Sequence, residues 1–154
     1  HPNSRRQRQM CIRDRIDAVG NVNVSKLGGN TVGPGGFIDI AQNARKVVFC
    51  GTFDTGGART EVGSGVMRVT EHGRISKLVD KVDQITFSGP QSLLQGQKVI
   101  YITERAVFEL RENGLHIIEI APGIDLQTDL LDRMGFAPNM NSPLSEMDSN
   151  YFKK

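Results

Sequence analysis

The chain has 154 residues, with 19 Lys+Arg against 17 Asp+Glu, 38% apolar residues, 17 Gly, 6 Pro and 2 Cys, the composition of an ordinary globular domain. No run approaches the roughly 18 consecutive apolar residues of a membrane-spanning helix, and the first residues lack an apolar signal core, so the expectation is a cytoplasmic protein with no membrane partner. Cys11 and Cys50 lie far apart and form no C-x-x-C pair, which argues against a structural zinc site, a redox dithiol or a disulfide framework.

Residues 1–15 hold five Arg against one Asp, so the basic balance belongs to this end and the rest of the chain is slightly acidic. Such an arm would suit nucleic acid or an anionic membrane surface. The reading adopted is instead a non-native or disordered basic tail without a nucleic-acid partner. The stretch also resembles the conceptual translation of sequencing-adapter DNA, and on that reading the natural chain enters near Ile16 and is truncated.

From Ile16 to Ser25, Val22 and Val24 alternate with Asn21, Asn23 and Ser25, which predicts a short strand after a Gly-Asn turn. Residues 26–36 contain five Gly and one Pro and read as a loop. Phe37, Ile40, Ala41 and Ala44 then fall at i, i+3, i+4 and i+7, predicting a short amphipathic helix that begins where the glycines stop. Lys46–Phe53 is a nearly continuous apolar run, expected to be a strand buried on both faces of a largely parallel sheet. Residues 54–65 read as a flexible, glycine-rich excursion. Strands are predicted over Val66–Thr70, Val82–Phe87, Lys98–Thr103, Ala106–Leu110 and Leu115–Ile120, the last two joined as a hairpin through Asn113-Gly114. Asp125 is the expected N-cap of a helix whose buried stripe is Leu126, Leu130, Leu131 and Met134, ended by Gly135. Residues 139–154 read as a polar C-terminal tail, at the surface or disordered.

The strongest local feature is Gly33-Pro34-Gly35-Gly36, opening directly into the helix at Phe37. Successive backbone N–H groups without a Cβ in the way suit a phosphate, a carboxylate or a transient oxyanion. A tight connection into the helix explains the same glycines, and the run is neither G-x-G-x-x-G nor a Walker loop. Asp39 and Asn43 read as solvated residues of the helix's polar face. His72 and His116 have no ligand pattern beside them, so no metal is expected. Cys50 reads as a buried small hydrophobe, and Glu112 as part of the Asn-Gly turn.

Gly33–Ala44 followed by Lys46–Phe53 closely resembles the C-terminal, β-type half of family I coenzyme A transferases, most of all the bacterial acetate/propionate and acetoacetate enzymes. The likeness continues in order through Gln84–Gly89, Tyr101–Phe108 and Glu119–Leu126, and covers residues 16–138. It implies an open α/β sheet with flanking helices of the CoA-transferase type, truncated at its N-terminal side, with the C-terminal hairpin and helix attached. It also implies a ping-pong exchange of CoA between a short-chain acyl-CoA and a carboxylic acid, without metal or prosthetic group, through a glutamyl-CoA thioester. In that family the Gly33–Gly36 loop sits where backbone donors line the thioester site. Gly35 and Gly36 are favoured, with Gly33 beside them, because Pro34 has no N–H.

The family's nucleophilic Glu stands in an E-x-G-x-x-G motif upstream of this segment, and no such motif occurs in the 154 residues. Glu61-Val62-Gly63 has Val66 at the final position, and Glu112-Asn113-Gly114 has Ile117 there. The expectation is an inactive fragment that needs a missing N-terminal half, its parent a homo-oligomer. A non-catalytic module that binds CoA or a nucleotide is the alternative.

Overall fold

The computed structural model describes residues 14–27, 30, 31 and 33–154. The basic tail expected over 1–15 therefore lies outside the described residues, save Asp14 and Arg15.

Arg15–Ile16 (β1) and Val22–Asn23 (β2) pair antiparallel, with Ile16 opposite Val22, which confirms the predicted strand. The turn between them is built on Asp17, whose carboxylate accepts the N–H groups of Val19 and Asn21 at 3.2 and 3.0 Å. Within the glycine-rich stretch expected to be loop, Lys26–Leu27 (β3) and Asn30–Thr31 (β4) form a small antiparallel ribbon.

The predicted helix is present as Phe37–Asn43 (α1) and buries Phe37 and Ala41. Ile40, expected on the same face, is exposed. Asp39 and Asn43 are exposed as expected, with the Asn43 amide donating to the Asp39 carbonyl. The helix runs into Lys46–Cys50 (β5), from which the chain passes to Asp54–Thr55 (β6), Arg59–Gly63 (β7), Val66–Glu71 (β8) and Ile75–Ser76 (β9). The excursion expected over 54–65 is ordered: β7 pairs with β8 in a hairpin and β6 with β9. The hairpin turn is Ser64-Gly65, both at positive φ, as the twist of a tight hairpin requires.

The strand expected over Val82–Phe87 does not form. The segment is irregular, meets β2 at a bridge between Val22 and Phe87 with the Thr86 N–H also donating to the Val22 carbonyl, and buries Val82 and Phe87 as plugs of the core. It leads into Gly89–Leu94 (α2), a helix the sequence reading did not anticipate, capped by Ser88 accepting from the Gln91 N–H.

Lys98–Ile102 (β10), Ala106–Arg111 (β11) and Gly114–Ile120 (β12) follow, and Asn139–Glu146 (β13) completes a five-stranded sheet of order β13-β12-β11-β10-β5. The hairpin β11–β12 is the one predicted, with Gly114 taking the positive φ of 101°. The sheet is mixed: β5 runs parallel to β10 and β13 parallel to β12, with antiparallel pairs between. Consequently Lys46–Cys50 is an edge strand with one covered face, and the expected burial on both faces is wrong. On the covered face Phe49 stacks on Tyr101 with centroids 5.2 Å apart and meets Phe87 edge-on at 5.1 Å. On the other face Val48 is 44% and Ile102 38% exposed.

Asp125 caps the next helix as predicted, accepting from the Thr128 N–H at 2.7 Å. That helix is a wide turn over Leu126–Leu130 followed by a tight one over Leu131–Arg133. The tail expected to be disordered or merely surface is ordered: β13 lies in the sheet, and Phe152 is buried against Met67 and Ala121. Among the described residues no helix is long and apolar enough to cross a membrane.

Candidate functional site

The direction of α1 fixes where the glycine loop lies. The rings of Phe37, first in α1, and Phe49, near the end of β5, are 5.8 Å apart. At the other end, the Gln97 side chain, just ahead of β10, donates to the carbonyls of Ala41, Gln42 and Ala44 at 2.9, 3.2 and 2.6 Å. The helix is therefore antiparallel to both strands, and Gly33–Gly36 lies toward the carboxyl ends of the parallel pair β5 and β10. That is the end of an open α/β sheet at which ligands ordinarily bind.

Gly33, Gly35 and Gly36 are exposed. Gly35 has φ of 56°, which asks for glycine on backbone grounds. Gly33 and Gly36 have no such reason: among the described residues a Cβ on Gly33 would meet nothing within 4 Å, and one on Gly36 only Ile40 Cδ1 at 3.7 Å. Gly36 has φ of −77°, an ordinary value. The N–H of Phe37 is used by the Pro34 carbonyl at 3.2 Å, whereas those of Gly35 and Gly36 find no backbone acceptor among the described residues.

At the same end of the sheet Cys50, expected to be buried, is exposed. The residues after it, with Phe49, Tyr101 and Leu78, line a small, mostly apolar cavity of about 30 Å³. The Tyr101 hydroxyl donates to the Gly20 carbonyl at 2.6 Å, and burial, with the Asp17 carboxylate nearby, pushes its ionisation well above the ordinary phenol value.

Beside this cavity lies a charged cluster that the sequence reading left unremarked. The Arg105 side chain is fully buried. One of its terminal nitrogens donates to Asp54 Oδ1 at 2.8 Å; the other donates to the Asp129 carbonyl at 3.1 Å and faces His72 Nδ1 at 3.3 Å. Its Nε is 3.3 Å from Glu104 Oε1, and the guanidinium lies 4.7 Å over the Phe53 ring. The second Glu104 oxygen accepts the Phe53 N–H at 2.8 Å, and the second Asp54 oxygen accepts the Gly73 N–H at 3.0 Å. His72 Nε2 approaches Asp129 Oδ1 at 3.4 Å. With an Arg N–H aimed at Nδ1, the neutral ring carries its proton on Nε2, toward Asp129. Arg105 thus ties Phe53 and the start of β6 to the turn after β8 and to the wide helical turn at Leu126–Leu130. The signal available in the sequence was a charged Glu-Arg pair set between two strongly apolar strand runs.

His116 is buried in β12 with Nδ1 3.2 Å from the Gly114 carbonyl. Among the described residues no cluster of three or more His, Cys, Asp or Glu is disposed to hold a metal ion.

Fold and site place the chain among open-sheet α/β proteins whose working end is the carboxyl end of parallel strands. Comparison with known proteins narrows this. No family model matches the chain. It is 48% identical over 137 residues to the acetate CoA-transferase YdiF of Escherichia coli O157:H7, covering 89% of this chain and 26% of that protein. It is 46% identical over 145 residues to the caffeate CoA-transferase of Acetobacterium woodii, covering 91% and 28%. The crystal structure of the E. coli O157:H7 acyl-CoA transferase YdiF apoenzyme superposes with a TM-score of 0.89 at 46% identity, over 93% of this chain and 28% of that one. The decarboxylase AibA/AibB shares the fold alone, at 21% identity and a TM-score of 0.62 over 89% of this chain and 49% of that one. The chain is a homologue of one segment of the CoA-transferases, as its motifs suggested. It spans about a quarter of the length of the curated relatives it matches.

Proposed function

We propose that this chain is the part of a short-chain acyl-CoA:carboxylate CoA-transferase that lines the CoA thioester site, with Gly35 and Gly36 supplying backbone N–H groups to the oxyanions and Gly33 giving the thioester room. The observation that supports this most is the exposed glycine loop at the carboxyl ends of β5 and β10, two of whose glycines nothing among the described residues requires. The 46–48% identity to CoA-transferases supplies the reaction class.

In the reaction implied, a glutamate carboxylate attacks the acyl-CoA thioester, the C–S bond breaks, and CoA thiolate leaves a mixed anhydride. The thiolate attacks the glutamyl carbonyl, releasing the first carboxylate and forming the glutamyl-CoA thioester. A second carboxylate reverses both steps. Each step passes through a tetrahedral oxyanion, and one preorganised donor is worth about 2.7–4 kcal/mol in such sites. The nucleophile comes from outside these 154 residues, since no E-x-G-x-x-G motif occurs in them. The isolated chain is therefore inactive, and acts with the N-terminal half of a cytoplasmic, homo-oligomeric parent.

The test replaces the matched segment of YdiF with this chain and compares two substitutions at one position. Gly36→Pro deletes the candidate donor at a φ that proline accepts, whereas Gly36→Ala keeps it. The expected result is a loss of roughly 10²–10³ in kcat for Gly36→Pro, with Gly36→Ala within about threefold of the parent chimera. Equal rates for the two variants would remove Gly36 from the oxyanion site.

A further inference from the structure

We infer that the small cavity at the carboxyl ends of β5 and β10 receives the hydrocarbon tail of the acyl group, and that Val22 and Leu78 in its wall set the longest tail accepted. The inference rests on the reading just given and adds to it where the tail goes and what limits its length. Cavity and glycine loop share one end of the sheet. Phe49 forms part of the cavity wall, and Phe37, the residue after Gly36, sets its ring 5.8 Å from the Phe49 ring. An acyl carbonyl held by the Gly35 and Gly36 N–H groups therefore starts its carbon chain about one aromatic ring away from the void. On the opposite side the cavity is bounded by Ile16 and Val22 of the β1–β2 ribbon and by Leu78.

The chemistry of the wall selects the guest. Two of its hydroxyls are already committed elsewhere: Tyr101 donates to the Gly20 carbonyl at 2.6 Å and Thr103 to the Ala106 carbonyl at 2.9 Å. An apolar void without polar groups to hold a water stays dry and takes an apolar ligand. A water-sized group needs about 10–15 Å³ of such space, so the cavity of about 30 Å³ admits roughly two of them. That matches the methyl of an acetyl group or the ethyl of a propionyl group, whereas a butyryl chain has to push the wall aside.

The wall is also held in place. The Phe53 N–H donates to Glu104 Oε2 at 2.8 Å, and the Arg105 guanidinium lies 4.7 Å over the Phe53 ring. Val22 and Leu78 are each 1% exposed, locked by the core around them. Ile16 is fixed to Leu78 and its neighbours by backbone bonds to the Lys77 carbonyl and from the Val79 N–H. Protein interiors keep few voids larger than a water. A dry one between pinned walls, at the end of the sheet where the thioester binds, can neither collapse nor widen freely, which makes it a gauge of chain length.

The YdiF chimera, assayed with acetyl-, propionyl- and butyryl-CoA as donors and labelled acetate as the common acceptor, tests this. Leu78→Ala enlarges the cavity and is expected to raise kcat/KM for butyryl-CoA relative to acetyl-CoA at least about tenfold. Val22→Ile adds one carbon to the wall and is expected to lower propionyl-CoA relative to acetyl-CoA about tenfold; it carries the test where Leu78→Ala does not fold. The ratios between donors are the readout because a merely loosened core lowers all three rates alike. Unchanged ratios in the folded variants, or ratios that move in the opposite direction, overturn the inference and leave the catalytic reading standing. A Val22→Ile variant that cannot fold also overturns it, since the added carbon is meant to enter empty space. A folded chimera that transfers no CoA from any donor refutes the catalytic reading itself, and this inference with it.

Discussion

Replacing Arg105 by Met is the sharpest single perturbation of the framework behind the site. The substitution keeps much of the side-chain volume but strips Asp54, itself 3% exposed, of its 2.8 Å partner. What remains for that carboxylate is the Gly73 N–H at 3.0 Å. Removing one member of a buried ion pair costs about 3–5 kcal/mol, most of it from the charge left behind. For a chain of this size each kcal/mol lowers the melting temperature by roughly 2–4 °C, so the expected drop is about 10 °C. Urea unfolding followed by far-UV circular dichroism should show the midpoint falling with an unchanged slope. Adding Asp54→Leu should recover most of the loss, since a buried pair replaced as a whole by apolar residues is often neutral. An unpaired Gly73 N–H should still cost about 1–3 kcal/mol. A loss below about 1 kcal/mol for Arg105→Met, or strict additivity in the double variant, would show that the cluster is not the keystone its geometry implies.

Tyr101→Phe leaves the Gly20 carbonyl without its 2.6 Å donor and should destabilise the chain by about 1–2 kcal/mol near neutral pH. Because burial raises the ionisation of Tyr101 in the folded state, its contribution is complete below about pH 10 and is lost as the pH rises toward the folded value. In a Tyr151→Phe background, tyrosinate absorbance should therefore appear only as the chain unfolds; an earlier rise contradicts the burial argument. Asp125 behaves in the opposite sense. The Thr128 N–H and hydroxyl hold its carboxyl below the usual range, so the cap stabilises above about pH 4 and fades as the pH falls through the lowered value. Asp125→Asn should flatten that part of the stability profile. Gly89→Ala drives a Cβ into the Val19 carbonyl and within 2.8 Å of the Gly20 carbonyl carbon, and should cost about 3 kcal/mol in chemical unfolding. Gly96→Ala, at positive φ but in open space, should cost only about 1–2 kcal/mol.

Much of this architecture could be read from the sequence where local chemistry decides it. The hairpin of β11 and β12, the helix after the glycines, the strand at Val22 and the Asp125 cap all rest on signals within a few residues. The failures have a common cause. Whether an apolar run such as Lys46–Cys50 is central or at an edge depends on which strands lie beside it, and its composition does not change with the answer. Val82–Phe87 has the residue types of a strand, but Val82 and Phe87 are buried as plugs while Ile85 is exposed, so the segment lines no face. The excursion after β5 is ordered by pairing with the strands that follow it, Val66–Glu71 and Ile75–Ser76, which glycine content conceals. The glycine loop was visible as a motif, and the structure brings it to the carboxyl ends of two parallel strands. Of the Arg105 cluster only the Glu104-Arg105 pair shows in the sequence, because its other partners come from positions 54, 72 and 129, far apart in the chain.

The measurement that bears most directly on the account is CoA transfer from acetyl-CoA to a second short-chain carboxylate. It compares the isolated chain with a YdiF chimera carrying this chain in place of its matched segment. The account predicts no turnover from the chain alone and turnover within about tenfold of YdiF from the chimera, reflecting small positional differences at the site. A folded chimera without transferase activity, or turnover by the isolated chain, would contradict it.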